Sequence, residues 1–194
     1  MRRPAADLRR AAVLTGKAVA GAAAVALAAR IEVPMVPVPM TLQTLAVLVV
    51  GGTLKTPAAS VAMVVYLLLA AAGVPVLAGG GAGLAKLAGP TAGYLFAFVP
   101  AAALACAAAG RFGRRPIPLS ACFIGIHGLI LALGGGWLAT HLGILEALAV
   151  GVGPFVLGAM IKSVIAAGLV AFARRAGPPS EAENPQGPQP RAAA

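Results

Sequence analysis

Lys162 is the residue in this sequence whose type and place most directly suggest chemistry. It lies inside GPFVLGAMIKSVIAAGLVAF, an apolar stretch in which it is the only charge. A lysine placed in hydrocarbon costs at least about 2.5–3.5 kcal/mol, so it faces a cavity or a partner. The alternative is that its stem snorkels and carries the ammonium to the membrane surface. At helical spacing, Phe155, Gly158, Ala159 and Ala166 fall on or near its face, and three of these four are small. Small residues around a cation leave room for a ligand. Glu146 is the only acidic residue in the later apolar segments, roughly four turns away. A ligand carboxylate is then a natural counter-ion.

Other polar residues say less. Arg30 and Glu32 flank the outer end of the first apolar segment and read as an interfacial pair. His127 and His141 read as hydrogen-bonded packing residues, since nothing near them completes a metal site. Ser120 and Ser163 have no base and acid at suggestive spacing, and Cys106 and Cys122 sit in apolar runs as small hydrophobes. There is no nucleophile motif, phosphate-binding loop or metal motif, so neither catalysis nor ATP hydrolysis by this chain is expected, and no cofactor is called for. Ala18, Ala22 and Ala26 stand four apart among other small residues. Such a stripe lets another helix approach closely and is a candidate docking face for a membrane partner.

The elements that position these groups must be membrane helices. Of 194 residues, 60% are hydrophobic and only 10% charged, with a mean hydropathy of +0.93. Soluble domains carry about 25% charged residues, so this chain has too little charged surface to face water and its solvent is lipid. The net charge of +10 does not mark a nucleic-acid binder, because the cations are scattered between apolar segments with no aromatic-studded basic face.

Six spans are expected, at about 11–31, 41–54, 57–73, 91–110, 117–138 and 143–173. The second and third are short and sit shallow or tilted. Six spans place Arg2, Arg3, Arg9, Arg10, Lys55, Arg111, Arg114, Arg115, Arg174 and Arg175 on one side, with only Arg30 and Lys86 opposite. Because Lys and Arg collect in cytoplasmic loops, both termini are expected in the cytoplasm. The chain then divides into a basic cytoplasmic N-terminus at 1–10, a six-helix substrate-binding body at 11–175 and a disordered, Pro- and Gly-rich cytoplasmic tail at 176–194.

Two outer connections are unusual. VPMVPVPMTLQT carries Pro34, Pro37 and Pro39, which fix extended backbone and remove amide donors, so it is neither helix nor sheet interior. GVPVLAGGGAGLAKLAGPTAGY is long, apolar and glycine-rich around Gly79, Gly80 and Gly81. Irregular backbone of this kind is tolerated at membrane depth only where it is buried or lines a cavity. The two segments read as the lid and wall of an outward-facing pocket, with a ligand-free packed loop as the alternative.

These residues resemble the BioY family, the biotin-binding S components of energy-coupling-factor (ECF) vitamin importers. The likeness covers about 18–173 and is carried by VPVPMTLQTLAVLVVG, GVPVLAGGGAGLAKLAGPTAGYLFAF and GPFVLGAMIK in that order. It implies an all-α integral protein of six transmembrane helices in the plasma (inner) membrane, whose outer loops cap one biotin. It also implies a complex with a coupling transmembrane subunit and two ATP-binding-cassette ATPases. Ala18, Ala22 and Ala26 match the family's coupling-subunit contact, and Lys162 matches its lysine near the ligand carboxylate. Thr41, Gln43, Thr91 and Tyr94 fall in the pocket-forming motifs, and the backbone of Gly79 to Gly81 would close over the ligand.

The family has an aspartate three residues before the lysine, where it can meet the ligand's ureido ring; here that position is Ala159. Either biotin is held by other polar groups, or the affinity is lower, or the ligand differs. Three readings follow: capture of biotin, an S component for another small vitamin or biotin-related compound, and a membrane scaffold with no ligand. Whether the chain acts alone as a homo-oligomer or only with ECF partners stays open at this level.

Overall fold

The computed structural model describes residues 4–54 and 57–176. Arg2, Arg3, Lys55 and the expected tail beyond Ala176 lie outside them. Among the described residues, four helices are long and apolar enough to cross a membrane: α1 (Pro4–Ala28), α5 (Ala92–Phe112), α6 (Pro116–Leu142) and α8 (Phe155–Ala176). Two shorter apolar helices, α2 (Gln43–Thr53) and α3 (Ala58–Ala71), lie between them. The short α4 (Leu84–Leu87) sits in the glycine-rich connection, and α7 (Ile144–Glu146) opens the stretch before α8.

The expected sixth span at 143–173 is not one helix. Gly143, at φ 86°, ends α6. A six-residue π-helical stretch, Ala147–Val152, follows α7, and the chain turns at Gly153 and Pro154 before α8 begins. A proline lacks the amide hydrogen that a continuous helix would use and crowds the preceding turn, so α8 starts immediately after it. The proline-rich connection is also not wholly irregular. Its last residues form β2 (Met40–Thr41), paired antiparallel with β1 (Glu32–Val33) in the register Glu32↔Thr41 and Val33↔Met40. The Val36–Pro37 peptide between them is cis.

Small side chains bring the helices together. α5 packs against α6, α2 and α3, α8 against α6 and α2, and α1 mainly against α3. The inward face of α5 is Ala97, Ala101, Ala102, Ala105 and Ala109, each almost completely buried. α2 wedges between α5 and α8 on two adjacent glycines. A Cβ on Gly51 would lie 2.7 Å from the Ala102 carbonyl oxygen, and one on Gly52 would lie 2.6 Å from a Val170 methyl. Removing two side chains at this crossing lets backbones approach to distances that larger residues forbid. Beyond it the core fills with Tyr66, Phe123, Leu48 and Met63.

One end of the bundle is tied by arginines. Arg174 Nε donates to Gly52 O at 2.9 Å, and Arg175 Nη2 donates to Arg114 O at 2.9 Å. Arg174 thereby sits against a carbonyl of the last turn of α2, where positive charge is favoured, and Arg175 against the turn between α5 and α6.

Candidate binding cavity

At the opposite end, α2, α5, α6 and α8 diverge around a cavity of about 140 Å³. Helix residues supply most of the wall: Gln43 and Thr44 from α2, Tyr94 and Phe98 from α5, His127 and Ile130 from α6, and Phe155, Ala159 and Lys162 from α8. Pro37, Val38 and Pro39 of the β1–β2 connection close one side, while Leu77, Ala78, Lys86 and Thr91 close another. The expectation that both outer connections border a pocket matches this geometry. Gly79, Gly80 and Gly81 are set back from it, since the described lining includes Leu77 and Ala78 but none of the three glycines. Positions 79 and 80 have positive φ, so they turn the connection, and they lie beside Glu32 and Arg30.

A chain of hydrogen bonds fixes the polar wall. Thr41 Oγ1 accepts the Gln43 amide at the start of α2 (3.2 Å) and donates to Gln43 Oε1 (3.0 Å). Gln43 Nε2 donates to the Tyr66 hydroxyl, which in turn donates to Val76 O at 3.1 Å. Because the tyrosine's one hydrogen goes to Val76, its oxygen can only accept from Gln43, and this sets the amide's orientation. Lys162 Nζ donates to the main-chain carbonyl of Thr41 at 3.1 Å. The lysine therefore points into the protein rather than snorkelling out, and it bridges α8 to the entrance of α2. Tyr94 lines the cavity with its ring, while its hydroxyl donates to Gly151 O at 2.6 Å and ties α5 to the π-helical stretch.

His127 is the residue the sequence under-reads. It is 2% exposed, and its Nδ1 lies 2.7 Å from Ser163 Oγ, as expected of a packing histidine. It also lines the cavity, and its Nε2 is buried with no hydrogen-bond partner. Thr44 Oγ1, on the same cavity wall, is likewise buried and unpartnered. The available signal was a polar side chain within an apolar helix, which in a membrane protein marks a functional position more often than in a soluble one. Arg30 does not simply pair with Glu32. Its Nη2 donates to Pro75 O, and Glu32 Oε2 is buried without a partner. Among the described residues, no group of His, Cys, Asp or Glu could hold a metal ion.

The alanine stripe of α1 is corrected by the packing. Ala18 and Ala22 are each 1% exposed inside the chain's own core, and Ala26 is half-buried. They face inward because the neighbouring Gly21 approaches Ala62 of α3 and Val50 of α2, where a Cβ would lie 2.9 Å from each. The small residues left on the open face include Ala12, Gly16, Ala20 and Ala24, again four apart, beside Ala11 and Ala23.

A family model for the BioY family matches residues 4–179. The chain is 38% identical over 147 residues to the biotin transporter BioY2 of Lactococcus lactis subsp. cremoris, covering 75% of this chain and 81% of that protein. It is 38% identical over 157 residues to the biotin transporter BioY of Rhodobacter capsulatus, covering 72% and 82%. Its fold resembles the crystal structure of the S-component for biotin from an ECF-type ABC transporter, with a TM-score of 0.72 at 22% identity over 91% of this chain and 96% of that one. With most of its length matched by the family model and by relatives of this similarity, the chain belongs to the BioY family.

Proposed function

We propose that this chain is the membrane subunit that captures biotin from outside the cell, for uptake driven by partner ATPases. The observation that carries the reading is the cavity itself: a largely apolar space bordered by the lysines Lys162 and Lys86 and by a hydrogen-bonded Thr41–Gln43 pair. An apolar ring and chain ending in a carboxylate suits such a wall. At about 140 Å³ the cavity is small beside the roughly 300–1,000 Å³ of most ligand pockets, so entry requires part of the wall to yield. The parts of the wall that lie outside the long helices are the connections carrying Pro37 to Pro39 and Leu77 to Ala78. Binding then favours the state in which these close over the ligand.

The same reading takes α2 and α3 as spans with α1, α5, α6 and α8, giving six, both termini cytoplasmic, and a body at 11–175 flanked by the basic start and polar tail. The coupling subunit of an ECF complex would dock on the open face of α1, at Ala12, Gly16, Ala20 and Ala24. A second reading, capture of a biotin-related compound, is favoured by Ala159, which offers the ligand no side-chain acceptor.

Calorimetric titration of the detergent-purified chain with biotin, desthiobiotin and biotin amide tests the ligand. Tight binding of biotin that weakens for the amide supports the proposal; no binding by a folded sample sinks it. Uptake of labelled biotin by cells with and without the ECF partners tests the energy source. Equal uptake in both would remove the partners from the mechanism.

A further inference from the structure

His127 and Ser163 form a pair whose hydrogens can be counted. Ser163 Oγ donates to Ala159 O, one turn back on α8, at 2.8 Å. A hydroxyl has one hydrogen. With it spent there, the 2.7 Å contact to His127 holds only if Nδ1 carries a proton and donates to Ser163. A neutral imidazole protonated at Nδ1 has a bare lone pair at Nε2. That atom is buried and has no partner, and a buried acceptor left unmatched is destabilising.

Two spaces border the ring. One is a cleft of about 560 Å³ between α6, the π-helical stretch and α8. Its other described lining residues are hydrocarbon, glycine or Met160, so nothing in it donates, and neither would a lipid tail. The other is the cavity, where Thr44 Oγ1 is the second buried polar atom without a partner.

We infer that His127 is a specificity-determining residue: its Nε2 accepts a hydrogen bond from a ligand N–H, while the Thr44 hydroxyl serves an adjacent carbonyl oxygen. The ligand class this selects is a urea or amide, whose N–H and C=O lie side by side, joined to the acidic end that Lys162 attracts. The inference rests on the biotin reading, in which the ureido ring supplies both groups.

Calorimetry on the purified chain tests it, with biotin and the two cyclic carbamates in which one or the other ureido N–H is replaced by oxygen. Wild type should bind one carbamate roughly ten- to a hundred-fold more weakly than biotin. His127→Phe should lose a similar factor for biotin and no longer distinguish biotin from that carbamate. His127→Gln, whose side-chain carbonyl offers an acceptor, should recover part of the affinity. If His127→Phe fails to insert, the wild-type carbamate comparison and His127→Gln decide. Wild type indifferent to both carbamates, or a folded His127→Phe with undiminished affinity, overturns the inference and leaves biotin capture standing. Absence of biotin binding by folded wild type overturns the proposed function, and the assignment to His127 with it.

Discussion

Lys162 on α8 and Thr41 at the entrance of α2 are joined by a 3.1 Å hydrogen bond across 121 positions of sequence. The acceptor is a neutral carbonyl, so the bond holds the lysine in place without cancelling its charge. Two of the three ammonium hydrogens remain free, and the cavity stays cationic until an anion enters. Thr41 meanwhile holds Gln43 through its side chain, so one strand residue positions both principal polar groups of the site.

Lys162→Met should weaken biotin by about ten- to a hundred-fold, because a charge-assisted contact contributes roughly 1.5–3 kcal/mol. Biotin amide, which lacks the anion, should lose much less. Calorimetry on both ligands reads the difference directly. An inserted, monodisperse variant that keeps wild-type affinity for biotin would remove Lys162 from the site.

Tyr66→Phe tests the hydrogen-bond chain behind Gln43. It strands Gln43 Nε2 and Val76 O in a region where both are buried, at an expected cost of about 1–3 kcal/mol. Thermal unfolding in detergent should show a clear fall in Tm. Biotin affinity should drop modestly, since the Gln43 amide loses the partner that orients it. An unchanged Tm would mean that the chain of bonds is not formed in solution.

Gly51→Ala and a substitution at Gly16 should separate folding from partner coupling. At Gly51 an added Cβ meets the Ala102 backbone, which cannot move aside, and overpacking of this kind costs about 1–3 kcal/mol. At Gly16 an added Cβ meets nothing within 4 Å. Gly16→Leu should therefore leave biotin binding and Tm as they are, yet reduce uptake in cells carrying the ECF partners. If uptake is unaffected, the docking face lies elsewhere.

Membrane orientation is open to single-cysteine labelling in a background with Cys106 and Cys122 replaced by alanine. Cysteines at Arg114 and Ala176 should react only from the cytoplasmic side, and one at Lys86 only from outside. Reaction of Arg114→Cys and Lys86→Cys from the same side would exclude the six-span arrangement.

Long apolar runs made α5 and α6 legible in the sequence, with boundaries within a few residues. The run at 143–173 was equally apolar, but Gly153 and Pro154 divide it, and hydropathy does not register a backbone break. Lys162 announced itself because a charge in hydrocarbon needs a reason. His127 did not, since its partner Ser163 is 36 positions away on another helix and its free nitrogen is a fact of tertiary packing alone. The face of α1 was illegible for the opposite reason. Nine of the twelve residues from Ala18 to Ala29 are Ala or Gly, so periodicity fits several faces, and contact with Ala62 and Val50 decides among them.

The lengths of the helices carry a consequence for the surrounding lipid. α6 has 27 residues and α3 has 14, or about 40 Å and about 21 Å at 1.5 Å per residue. Val64, Leu68 and Leu69 of α3 are exposed hydrocarbon, so acyl chains meet a body much shallower there than the roughly 30 Å apolar slab. If α3 spans as the six-span proposal has it, the leaflets beside it must dimple or the whole molecule must lean, and either stores elastic energy in the bilayer. On that arrangement the acyl-chain length of the host membrane would become a control on this protein, acting from outside the chain and without touching the cavity.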